Sequence, residues 1–206
     1  MIALLDTSQD LDTAEAELGL VVGQLLTPLT QFKNRSSRQF AIDNGGFSGS
    51  QVGGFLSVLE RERPNRGRCL FAAVPDVVGD ARRTCELFEH WHWKMAGYPL
   101  AFVAQDGQQD MPIPWKLIDA IFIGGSTQWK LSRHAEAIIR CAQWQQKWVH
   151  VGRVNTPERF QKFEALGVDS IDGSGISQYS AMRHAIRLRD TSTQMALLQM
   201  NGDIHT

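Results

Sequence analysis

The sequence predicts an α/β fold, and within that class a compact, single-domain (β/α)8 TIM barrel spanning residues 1–206. Three observations predict it. Short apolar runs recur eight times along the chain. They are nearly continuous in apolar character, as suits strands buried on both faces of a parallel sheet. Amphipathic stretches with helix start and stop signals separate several of them, which is the alternation of βα units.

Met1–Asp6 and Leu18–Leu26 supply the first two runs, the least marked of the series, and residues 28–38 after them read as loop. Gln39–Asp43 and Cys69–Asp76 are the third and fourth. A helix is expected over residues 79–97, with Ala81, Cys85, Phe88 and Trp91 on one face and Gly97 as its stop. Pro99–Asp106 and Ala120–Gly125 follow. A second helix, over residues 126–147, carries Leu131, Ala135, Ile138 and Ala142 on one face. After the seventh run, Lys147–Arg153, Thr156 and Pro157 form an N-cap and first-turn pair, and Gly167 ends that helix. Val168–Asp172 is the eighth run, and residues 176–190 close the chain's helical pattern. A 206-residue barrel lies near the small end of its fold, so its loops must be short.

Composition narrows the function. A net charge of −1 argues against a surface built entirely for a polyanion, although Arg61, Arg63, Arg66 and Arg68 cluster, as do Arg183, Arg187 and Arg189. Both clusters read first as solvated faces and second as phosphate contacts. Cys69, Cys85 and Cys141 show no paired spacing, and His90, His92, His134 and His150 no ligand spacing, so no metal or other cofactor is expected. Trp91, Trp93, Trp144 and Trp148 read as packing. The opening residues have no basic n-region and no run is long enough to span a bilayer, so a cytoplasmic protein without membrane contact is expected.

The strand ends carry the chemistry. In a barrel, side chains at the carboxyl ends of the strands converge on one mouth. This sequence places Asp43, Asp76, Gln105, Gly124-Gly125, Gly152-Arg153 and Asp172 at those ends. Asp106 reads as a turn residue and Asp169 as structural. Carboxylates brought together repel, so at least one must hold its proton more tightly than usual. A carboxylate and a carboxylic acid side by side suit substitution at a sugar anomeric carbon: one attacks, the other protonates the leaving group. Gln105 and Asp76, with the backbone of the glycine turn, offer donors and acceptors to the edge of a planar heterocycle. A purine fits that set.

The motifs resemble those of the tRNA-guanine transglycosylase superfamily over roughly residues 41–173. Asp43-Asn44-Gly45-Gly46-Phe47 resembles its D-S-G-G-[FY] motif, which implies Asp43 as general acid/base and Phe47 as a base-stacking ring. Val74-Pro75-Asp76, Phe102–Gln105 and Ile123-Gly124-Gly125 resemble its base-reading strand ends. Val149–Gly152 with Thr156-Pro157-Glu158 resembles its seventh strand and following helix start. Gly167–Asp172 resembles G-V-D-x-F-D, whose last Asp is the nucleophile. Val151 stands where a stacking Met is usual, which implies a place beside the base.

The departures from the family matter as much. No cysteine follows Cys141, so the zinc subdomain of the tRNA-acting members has no counterpart here, and Gly173-Ser174-Gly175-Ile176 replaces an L-P-T-R stretch. The chain therefore resembles the zinc-less branch that acts on DNA in phages and bacterial DNA-modification clusters. That branch implies exchange of guanine for a preQ0-type 7-deazaguanine through an aspartyl-glycosyl intermediate, with DNA and the free deazaguanine as partners and helper proteins that open the duplex. Arg153 and Lys130 are the expected phosphate contacts. The alternatives are a zinc-less transglycosylase acting on RNA (tRNA), and a non-catalytic base- or nucleic-acid-binding partner subunit.

Overall fold

The computed structural model describes residues 1–6, 10–30, 34–35, 37–46 and 52–188. Its eight parallel strands form one closed barrel in sequence order. They are β1 (Ile2–Leu5), β2 (Val21–Leu26), β3 (Phe40–Ile42), β4 (Cys69–Ala73), β5 (Leu100–Ala104), β6 (Ala120–Ile123), β7 (Trp148–Val151) and β8 (Ser170–Asp172). Closure is direct: β1 pairs with β2 through Leu4↔Gly23 and with β8 through Leu4↔Asp172.

The helices are α1 (Leu11–Leu18), α2 (Val52–Glu62), α3 (Ala81–Trp91), α4 (Thr127–Lys130), α5 (Arg133–Trp144), α6 (Pro157–Ala165), α7 (Ser174–Gln178) and α8 (residues 180–188). Local chemistry fixes their ends. Asp80 accepts the Arg83 N–H at 3.0 Å to start α3, and Thr156 accepts the Arg159 N–H at 3.3 Å to start α6 with Pro157 in its first turn. The expected helix over residues 126–147 is two helices. Ser126 caps the first and Ser132, in extended backbone, caps the second. On α3 the buried face is Ala81, Thr84, Phe88 and Trp91, with Thr84 in the place expected for Cys85. Among the described residues no α-helix links β2 to β3 or β5 to β6; only short 3-10 turns lie between the latter pair. That is how the barrel closes in so few residues.

Two apolar layers hold the barrel. Inside it, Leu4, Leu25, Ala41, Phe71, Val103 and Phe122 pack together. Between barrel and helices lies the larger layer, which includes Leu5, Ile42, Phe102, Ile123, Val151 and Ile171. Each strand alternates between the two layers, as its pleat requires. Among the described residues no helix is long and apolar enough to cross a membrane.

Arg61, Arg63, Arg66 and Arg187 are exposed, as expected of solvated faces, whereas Arg183 and Arg68 are drawn into the fold. Arg183 is buried, donating from Nε to Glu17 at 2.6 Å and from its guanidinium to the Ile176 carbonyl at 2.8 Å, which ties α8 to α1 and α7. Arg68 bonds to the Arg35 and Arg38 carbonyls. It precedes β4, on the amino-end face opposite the mouth. Arg189 lies outside the described residues. Trp93 and Trp144, expected to pack, are 62% and 84% exposed.

Candidate functional site

The carboxyl ends of the strands enclose a cavity of about 450 Å³, within the usual size range of small-ligand sites. Asp43 follows β3, Asp76 lies three residues past β4, Gln105 follows β5, Gly124 follows β6, Gly152 and Arg153 follow β7, and Asp172 ends β8. All of them line this one cavity. Asp6, Asn44, Asn155 and Arg159 join them, four residues that sequence reasoning did not single out.

Asp43 accepts the Gly45 N–H at 2.8 Å, so it does shape its turn. It also carries a displaced proton affinity. Burial pushes its carboxyl up to about 7; the Gly45 N–H opposes the rise, and the carboxylates of Asp172 and Asp76 add to it. Near neutral pH this side chain can therefore hold a proton and give it away.

Asp76 is held on both oxygens. Asn44 donates to Oδ1 at 2.7 Å and Gln105 to Oδ2 at 2.5 Å. Burial raises its pKa and these two donors oppose the rise. It does not cap α3; Asp80 does that. Gln105 is more committed than its sequence role implied. Its Oε1 accepts from the Gly79 N–H at 2.9 Å and the Gly125 N–H at 2.8 Å, so the side chain clamps three loops around Asp76. Replacing it with leucine leaves the buried Gly125 N–H and the less buried Gly79 N–H without their acceptor. Gln105→Leu is expected to cost about 1–3 kcal/mol per orphaned group, read as a lower urea midpoint in chemical denaturation.

Three expected contacts are corrected. Gly125 does not line the cavity: its N–H goes to Gln105 and its carbonyl accepts from the Arg153 guanidinium, so its backbone is used within the protein. Gly124 does line it, and its N–H continues the ladder to the Ala104 carbonyl at 2.9 Å. Val151 is fully buried in the layer between barrel and helices, because strand alternation turns it away from the mouth and leaves Gly152 facing in. Lys130 is 3% exposed and donates to the Gly152 carbonyl. Burial pushes its pKa down to about 8, and its contact with a backbone oxygen takes it off the surface where a phosphate would meet it. Phe47 lies outside the described residues.

Asp172 lines the same cavity as Asp43 and has both oxygens engaged. Oδ1 accepts the Arg153 N–H at 3.0 Å, and Oδ2 lies 2.9 Å from His150 Nε2. Arg153 reaches that bond from left-handed backbone, φ 58°, a conformation a non-glycine residue adopts at a cost of about 1 kcal/mol or more. Gly152 permits the close approach: a Cβ there would stand 2.5 Å from the Phe122 ring and 3.3 Å from Asp172 Oδ2. Asp106 and Asp169 keep the structural roles expected of them. Asp106 accepts from the Ser126 N–H and hydroxyl, both at 2.6 Å, and Asp169 from the Val149 N–H at 2.7 Å. Among the described residues no cluster of three His, Cys, Asp or Glu side chains is placed to hold a metal.

No protein-family model matches the chain, and no curated protein matches it. Among solved structures, a phosphoribosyl anthranilate isomerase from Thermus thermophilus is similar over 93% of this chain and 98% of its own, with 14% identity and a TM-score of 0.46. So distant a likeness carries no argument about chemistry. The class is carried by the strands themselves: the chain is a closed, eight-stranded (β/α)8 barrel with an acid-lined mouth.

Proposed function

We propose that this protein is a base-exchange transglycosylase that replaces guanine in DNA with a preQ0-type 7-deazaguanine. One observation carries the reading: Asp43 and Asp172, 129 positions apart in the sequence, line the same cavity, and one of them keeps its proton up to about pH 7 while the other is held by N–H donors. An acid and a nucleophile so divided match the needs of retaining substitution at an anomeric carbon.

A carboxylate oxygen of Asp172 attacks C1′ as the C1′–N9 bond breaks, and Asp43 gives its proton to the departing guanine. A glycosyl ester joins Asp172 to the sugar. Guanine leaves and the deazaguanine takes its place, held by its hydrogen-bonding edge against Asp76. Asp43, now a carboxylate, takes the N9 proton of the incoming base. The new N9–C1′ bond forms and the ester breaks, returning both aspartates to their starting states. A base in duplex must first leave its stack, at a cost of a few kcal/mol. DNA is the proposed polymer because the sequence resembles the zinc-less branch of the family.

The test is co-expression with a source of the deazaguanine, followed by mass spectrometry of nucleosides from DNA and from tRNA. A deazaguanine deoxynucleoside in the DNA digest is expected. Its appearance in tRNA alone moves the substrate to RNA. Its absence from both, and from single-stranded DNA treated with the purified protein and the deazaguanine, refutes base exchange.

A further inference from the structure

One residue beside Asp172 is left without a role by the steps above. His150 is wholly inaccessible to solvent, between the rings of Phe71 and Phe122, with centroids 4.9 and 4.4 Å from its own. An imidazole in such a place needs partners for both nitrogens. Nε2 lies 2.9 Å from Asp172 Oδ2 and Nδ1 lies 2.9 Å from Ser170 Oγ. Ser170 Oγ also receives the indole N–H of Trp148 at 2.8 Å.

The direction of the chain follows from its far end. An indole N–H can only donate. Ser170 Oγ therefore accepts from Trp148, and its own proton is left to point at His150 Nδ1, the other polar atom within reach. An Nδ1 that accepts leaves the ring's single proton on Nε2, where it meets the Asp172 carboxylate. The reverse tautomer would set a bare Nε2 lone pair against a carboxylate oxygen and strand the serine proton. A doubly protonated ring would pair with Asp172 but would turn a second donor onto Ser170 and strand the same proton.

We propose that His150 is a positioning residue for Asp172: the relay Trp148–Ser170–His150 fixes the neutral Nε2–H imidazole, which holds Asp172 Oδ2 while the Arg153 N–H holds Oδ1. The carboxylate is pinned at two points while its side chain still lines the cavity. This inference rests on the reading of Asp172 as the nucleophile. It adds that the geometry of attack is set from inside the barrel, through a residue that never touches substrate.

Two measurements test it. The first needs no reaction: nitrogen-15 imidazole NMR of the unliganded protein, with His150 assigned by its loss in H150F. A neutral, Nε2-protonated ring with an accepting Nδ1 is expected; an Nδ1–H or doubly protonated ring overturns the proposal. The second is the rate of covalent adduct formation with guanine-containing nucleic acid. H150F keeps the volume and loses the donor. It is expected to slow the adduct by about 10- to 100-fold with KM for nucleic acid unchanged, and H150Q, which keeps an N–H donor, is expected to restore most of that loss. A merely structural role predicts that both variants lose rate in step with melting temperature, and that result overturns the proposal too. If H150F does not fold, the wild-type spectrum, assigned through H150Q, decides alone. A wild-type protein that forms no adduct refutes base exchange, while the spectrum still decides the relay.

Discussion

Asp172→Asn is expected to lower base exchange by at least about 10⁴-fold, because an amide oxygen cannot open the glycosidic bond that a carboxylate opens. The substitution is nearly isosteric. The new side chain can still accept the Arg153 N–H that Asp172 takes at 3.0 Å, although its amide nitrogen then meets His150 Nε2 donor to donor. The substituted amide would precede Gly173, a pairing prone to deamidation, which regenerates the acid. Asp172→Ala is therefore the companion variant. It leaves His150 and the Arg153 N–H without their carboxylate, at a cost of about 1–3 kcal/mol for each unpaired group. Intact mass spectrometry of protein quenched with nucleic acid reads the ester directly. The wild type is expected to gain the mass of the glycosyl strand and both variants none. An ester in either variant at the wild-type rate removes Asp172 from the reaction.

The second large effect belongs to Asp43. A neutral amide there can neither give nor take the proton, and removal of a general acid typically costs about 10²–10⁴ in rate. Stability moves the other way. The Asp43 carboxyl has its pKa raised by burial from 3.8 to about 7 in the folded protein, so folding favours its protonated form. That contribution is fully present below 3.8 and is lost as pH rises through about 7. Asp43→Asn stays neutral throughout and escapes the loss. Its stability relative to wild type is expected to rise from about pH 4 to about pH 7 and to level off above, by an amount on the order of a few kcal/mol at most, read as a widening gap in melting temperature. Exchange by the wild type is expected to fall as pH rises past about 7 for the same reason. Parallel melting curves for variant and wild type across that range would show that Asp43 does not hold the proton, and the acid would have to be sought elsewhere on the mouth.

Much of the site could be read in the sequence because strand ends advertise themselves. An acid such as Asp43, directly after Phe40-Ala41-Ile42 and before two glycines, is costly unless it reaches the open end of the barrel. The same reasoning located Asp76, Gln105, Gly124 and Asp172. It failed at Gly125, whose backbone is used within the protein, and the other expected contacts that failed were Val151, implied by the resemblance, and Lys130, expected to meet a phosphate. Val151 sits next to Gly152, which faces the cavity, and a one-residue difference in parity turns its side chain away; the Lys130 ammonium is drawn in to the Gly152 carbonyl. His150 was passed over for the opposite reason. Without ligand spacing it carried no motif, although its even offset from Gly152 and its place in a buried strand were signals that it points inward.

What is local was legible in the string: eight buried runs, the cap at Thr156, the glycine stop at Gly167, and which residues sit at strand ends. These depend on neighbours a few positions away, and their signals survive in the bare string. Tertiary structure alone decided the pairings: Asn44 and Gln105 on Asp76, Arg153 and His150 on Asp172, and the withdrawal of Gly125 and Lys130 from the mouth. The physical reason is that a strand buried on both faces looks alike whichever way it is turned. Only the register in which eight such strands close selects the side chains that meet.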